Sequence, residues 1–157
     1  MADRLKVVFT DNQKEVKVQT GTRMLLRRCC HAVLENEKYK GAAVIGITFA
    51  DNESYNELQK KHYSIQSETE SFTVPESDES SNKLGEIVIS LERLVEYADT
   101  YNHSVQSRMV SATACGVLEL LGNDVERDKR NIYQNDGVEL AMYQLGLPVS
   151  AKFYVRQ

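Results

Sequence analysis

Cys115 and Glu119 stand four residues apart in TACGVLELLGNDVE, residues 113–126. In a helix that spacing puts a thiol and a carboxylate on one face, within reach of a single centre. Metal sites use such pairs. A catalytic zinc takes three protein ligands and keeps a fourth position open for water, and the nearest third donor here is Asp124, beyond Gly122. Thiolate with two carboxylates is an unusual zinc set, because zinc favours histidine and cysteine, and residues 104–157 contain no histidine. The competing reading is packing, since a helical cysteine usually serves as a small buried hydrophobe and a helical glutamate usually faces water. Glu119 is also a candidate general base.

Arg23, Arg27 and His31 recur at i, i+4 and i+8 with Arg28 beside them, which forms a ladder of cations suited to phosphates, or else a plain solvated helix face. Tyr39, Tyr55 and Tyr63 are the nearest aromatics that could stack on bases, and core packing accounts for them equally well. His31, His62 and His103 fall in three separate elements with no ligand spacing between any two. Only the fold could bring His62 to Cys115 and Glu119.

These residues depend on a few elements for their placement. Thr20 is a candidate N-cap for a helix over 21–36, in which Leu25, Leu26, Cys29, Cys30, Val33 and Leu34 repeat at helical spacing. Leu5–Phe9 reads as a strand, with a second extended piece or a turn at 15–18. Residues 42–50, AAVIGITFA, read as a central strand, and Asp51 caps a short helix to about Lys61. Residues 64–82, rich in Ser, Glu and Thr, form a polar loop with one extended segment near Phe72–Val74. Glu86–Ile89 is a strand, and Ser90 caps the next helix. The segment 105–121 is apolar almost all round, so it is expected to be a buried central helix stopped by Gly122. A last helix is expected from about Arg127 to Leu145. The prediction is one α+β domain over 1–157, with a small mixed sheet of three to four strands and about five helices.

The chain has 157 residues, 41% hydrophobic and 27% charged, which suits one globular domain with a sizeable core. Neither a targeting leader nor an apolar run near the roughly 20 residues of a membrane helix is seen, so a cytoplasmic protein without membrane attachment is expected. Three cysteines, two of them adjacent, and no CxxC fit a reducing compartment and give no zinc-ribbon pattern. The net charge of −4 argues against a coat protein for nucleic acid, yet it is unevenly spread. Residues 1–50 carry +4 and residues 51–100 carry −8. An RNA-facing surface would therefore draw on the first third, and the acidic loop from Glu68 to Glu79 would repel phosphate.

LGEIVISLERLVEYADTYNHS at 84–104, the long apolar helix after it, and GVLELLGND at 116–124 resemble the YbeY family of metal-dependent endoribonucleases of ribosomal RNA maturation. The likeness runs from VVFTDNQ at 7–13 to QLGLP at 144–148. That family's strongest marker is H-G-x-x-H-L-x-G-x-D-H, whose histidines hold zinc. Aligned without gaps, this chain keeps Gly116, Leu120, Gly122 and Asp124 and carries Cys115, Glu119 and Val125 at the three histidine positions. An arginine of the family, within Y-R-G-x-D-x-x-T-D-V-L-S-F-P, corresponds to Tyr63, while Thr69 and Pro75 are kept.

The resemblance implies a YbeY-like fold, ribosomal RNA or ribosomal proteins as partners, and RNA contact through Arg23, Arg27 and Arg28. It also implies a degenerate zinc site. Valine has no donor atom, so at most two ligands remain, and a neutral tyrosine cannot supply an arginine's fixed charge to phosphate. The leading expectation is a family member of ribosome biogenesis that is impaired or inactive as a hydrolase. The rival is an active metal-dependent hydrolase with a reshaped Cys115, Glu119 and Asp124 centre. A third is a scaffold with neither activity.

Overall fold

A computed structural model describes residues 4–64 and 67–148. Its elements in chain order are β1 (Leu5–Asn12), α1 (Thr22–Asn36), β2 (Ala43–Ala50), α2 (Asn52–Tyr63), β3 (Ser71–Pro75), β4 (Lys83–Ser90), α3 (Leu91–Thr100), α4 (Val105–Leu120) and α5 (Asp136–Gln144). The four strands form one mixed sheet in the order β1-β2-β4-β3. β1 and β4 each pair parallel with β2, and β3 runs antiparallel to β4. The described residues form an α+β domain of five helices on a four-stranded sheet, as the element pattern predicts.

Period-two patterning gives the sheet two faces. Ile45, Ile47 and Phe49 of β2 join Ile87 and Ile89 of β4 in the main core, all fully buried. Each such side chain contributes roughly 1.5–3 kcal/mol. α1, α4 and α5 pack with them. The opposite face carries a smaller core of Ala50, Tyr55, Phe72 and Val88 beneath α2.

α4 is the buried central helix expected, with every residue from 107 to 118 inside. Ser104 caps its start by accepting from the Ser107 N–H at 3.0 Å. Gly116 has its reason here: a Cβ would lie 2.7 Å from Ile87 Cδ1, so helix and sheet touch where a side chain would not fit. Asp51 and Ser90 cap α2 and α3 as predicted, each accepting from the N–H three residues on.

Two local expectations are corrected and one alternative is decided. α1 has Gly21, at φ 91°, as its N-cap residue with no side-chain cap, so Thr20 does not serve. Of the two readings of residues 15–18, the turn holds. Gln13 folds that stretch into a turn by donating to the Val16 carbonyl at 2.7 Å while accepting the Val16 N–H at 2.9 Å. The last helix begins at Asp136 and not near Arg127, because Asn135 caps it through the Gly137 and Val138 N–H groups. Two carbonyls of the preceding stretch are taken by α4 instead: Lys129 by Arg108 at 2.8 Å and Ile132 by Ser111 at 3.4 Å.

Candidate functional site

The end of α4 sets the site. Gly122, at φ 96°, lets the Asn123 N–H reach the Leu118 carbonyl at 3.0 Å and its own N–H reach the Glu119 carbonyl at 2.9 Å, the paired bonds of a left-handed helix stop. The chain then doubles back along α4. Val125 enters the main core at 4% exposure, and Asp124 stays exposed at the turn.

Glu119 lies at the centre of a polar chain crossing three elements. Its Oε1 accepts from Thr73 Oγ1 at 3.1 Å, and its Oε2 accepts from Arg127 Nη1 in an ion pair. Arg127 Nε also donates to Ser71 Oγ at 3.3 Å. The hydroxyl of Tyr63, in the last residue of α2, donates to the Thr73 carbonyl. Tyr63 and Glu119, far apart in sequence, thus share Thr73. Burial raises the Tyr63 phenol above its ordinary value and Glu119 adds to this, with Arg127 opposing. The group therefore stays neutral near pH 7.

Burial also pushes the Cys115 thiol up to about 11, against the pull of Arg127 and with small upward contributions from Glu119 and Glu70. Desolvation raises Cys29 well above the ordinary thiol value and Cys30 to about 12. Native protein at pH 8 is therefore expected to show no fast thiol towards Ellman's reagent, and three after denaturation. One fast native thiol would place Cys115 in contact with water.

Among the described residues, no three His, Cys, Asp or Glu side chains gather into a group able to hold a metal. Asp124 does not join Cys115 and Glu119 in one. His62 is exposed in the last turn of α2. His31 stands 3.9 Å from Glu35 on α1. His103 Nδ1 lies 3.0 Å from Arg108 Nη1, and burial together with that guanidinium lowers the imidazole below its usual value.

The arginines of α1 are apart from this chain. Arg23, Arg27 and Arg28 are exposed, and the Arg27 guanidinium sits 5.7 Å over the ring of Phe9 in β1. Ser71 and Thr73 belong to β3, at the other edge of the sheet. Three strand spacings, roughly 14 Å, separate the two edges. Around Glu119 each cation has its own carboxylate: Arg127 with Glu119, Arg108 with Glu70 at 2.8 Å, and Lys129 with Glu68 at 3.3 Å.

Arg127 and Arg108 are the residues that sequence reasoning missed. Arg108 had a visible signal, as the one cation in the apolar run of α4. Arg127 had a weaker one, an arginine two places past the third marker position.

Residues 8–142 match the family described as Endoribonuclease YbeY. The chain is 30% identical over 154 residues to the Endoribonuclease YbeY of Caldanaerobacter subterraneus subsp. tengcongensis, covering 89% of this chain and 98% of that one. It is 30% identical over 142 residues to that of Desulforamulus reducens, covering 84% and 93%. The solution structure of TM1509 from Thermotoga maritima shares the fold with a TM-score of 0.54 at 20% identity, over 89% of this chain and 90% of that one. With the sheet order, the central helix and the glycine stop all described, these matches establish that the chain belongs to the YbeY endoribonuclease family.

Proposed function

We propose that this YbeY family member binds structured ribosomal RNA through Arg23, Arg27 and Arg28 on α1 and does not hydrolyse it by the zinc chemistry that the resemblance to the histidine marker implies. The observation that carries the reading is the state of Glu119 and Val125: the carboxylate is already engaged by Arg127 and Thr73, and the valine is core.

The residues present do not fit zinc. A carboxylate held by a guanidinium is not free to ligate, and an isopropyl group offers no donor, which leaves Cys115 as a single free ligand. No hydrolytic step is derived through such an ion. The charge layout supports the same reading, because Arg27 lies over Phe9 at the β1 edge while the acidic stretch containing β3 borders Glu119 through Thr73.

Filter binding to a structured ribosomal RNA fragment across a salt series tests this, with the same RNA assayed for cleavage. Salt-sensitive binding without cleavage is expected, and Arg23→Ala/Arg27→Ala/Arg28→Ala should flatten the slope of log K against log salt by about 2–3. Binding indifferent to those changes would remove α1 as the interface. Cleavage abolished by a chelator and restored by a divalent cation would overturn the non-hydrolytic half.

A further inference from the structure

The polar chain at the end of α4 contains a cation, Arg127, that takes no part in the proposed RNA contact. Glu119 sits at the second marker position, on a helix that is buried along most of its length, and its carboxylate is only 20% exposed. A carboxylate so placed needs a positive partner, since desolvation without one disfavours its charge. In a metal centre the ion supplies that charge. Here Arg127 does, from two residues past the third marker position, reaching back over Val125.

The contacts of Arg127 are those of a built-in group. Its Nη1 pairs with Glu119 and its Nε donates to Ser71 on β3, so one side chain ties the returning segment to α4 and to the sheet edge. Its Nη2 is buried without a hydrogen-bond partner among the described residues, a desolvation cost that the ion pair must offset. Glu70, the other carboxylate of this region, is held by Arg108, which leaves Arg127 to Glu119. Tyr63 and Cys115, the remaining altered positions, lie close enough for Arg127 to act on both thiol and phenol.

We propose that the Arg127 guanidinium is the resident cation of this site, paired with Glu119 where the family marker calls for a metal, so that the centre is held together by a side chain and stays closed to divalent ions. The inference rests on the reading that these positions hold no zinc. It adds a named residue, a defined partner and independence of the fold from metal. Guanidinium suits the role because it is charged at every physiological pH and its forked donors can hold two acceptors at once.

The test is thermal unfolding of the full chain as wild type, Arg127→Met, Arg127→Lys, Glu119→Gln and the Glu119→Gln/Arg127→Met double variant, each with chelator and with added zinc. The wild-type Tm should be unmoved by either addition. Arg127→Met should lose several degrees, Arg127→Lys fewer, and the double variant less than the sum of its singles. Guanidinium chloride at low, non-denaturing concentration should raise the Tm of Arg127→Met, and sodium chloride should not. If Arg127→Met does not fold, Arg127→Lys against Glu119→Gln carries the comparison. Additive single effects, or a lysine variant no better than methionine, would overturn the resident cation and leave the RNA-binding reading standing. Stoichiometric zinc in the wild type with a chelator-sensitive Tm would overturn the metal-free reading first, and this inference with it.

Discussion

Arg108→Met should destabilise the chain by roughly 3–5 kcal/mol, lowering Tm by on the order of 10 °C. Arg108 is 1% exposed and its donors are spoken for. Nε and Nη2 hold the two oxygens of Glu70 at 2.9 and 2.8 Å, and Nη1 holds the Lys129 carbonyl. The guanidinium also lies 5.5 Å from the ring centre of Tyr97 and 5.9 Å from that of Tyr101. Methionine keeps much of the volume and loses every one of these bonds. Glu70 would then be a mostly buried carboxylate with its two direct donors gone.

That deficit should depend on pH in a definite sense. Burial already holds the Glu70 carboxyl above its ordinary value, although the hydrogen bonds and charge of Arg108 pull it down. Without Arg108 it rises further. A carboxyl whose folded value exceeds its unfolded value binds its proton more tightly in the native state, so protonation favours folding and that contribution fades as pH rises through the window between the two values. Arg108→Met should thus regain stability as pH falls towards the ordinary glutamate range. Glu70→Gln/Arg108→Met should recover part of the loss at neutral pH. Urea unfolding at several pH values checks both, and a deficit constant with pH would separate Arg108 from the charge of Glu70.

Gly85→Ala is the second large effect, with an expected cost of roughly 2–5 kcal/mol. Gly85 has φ 149°, and a Cβ there would meet the Val74 carbonyl oxygen at 2.4 Å and Leu120 Cδ2 at 2.6 Å. The oxygen is backbone in the β3–β4 ladder, where Gly85 pairs with Pro75 and Glu86 with Val74. It can move only by opening that ladder, next to the Thr73 that holds Glu119. Gly46→Ala is the matched control: its Cβ would meet the Glu86 carboxylate, the end of a flexible, partly exposed side chain able to swing away. The control should cost well under half as much. Equal losses in urea midpoint would show that backbone crowding at Gly85 is not the cause.

How much of this was legible in the sequence follows from how local each cause is. The Ser90 and Asp51 caps, the Gly122 stop and the apolar run of α4 are decided within a turn or two of chain, and spacing reveals them. The start of the last helix was misread because Lys129 and Ile132 give their carbonyls to Arg108 and Ser111, over twenty positions away. Helical periodicity carries no trace of such bonds. At the site, Cys115 and Glu119 were visible as a pair, while the Glu119–Arg127 contact was not, because a left-handed turn intervenes and reverses the chain. The placing of β1 and β3 at opposite edges was equally hidden, since strand order sets it.

The order of assembly along the chain has a consequence for synthesis. All four strands are synthesised once residue 90 is made, yet α4, which buries against Ile87 and Ile89, is finished only at residue 120. A growing polypeptide therefore carries a nearly complete sheet whose greasy side awaits its cover for some thirty further residues. During that interval premature release would yield a sticky fragment, and the clasp made by Arg127 is among the last pieces to arrive.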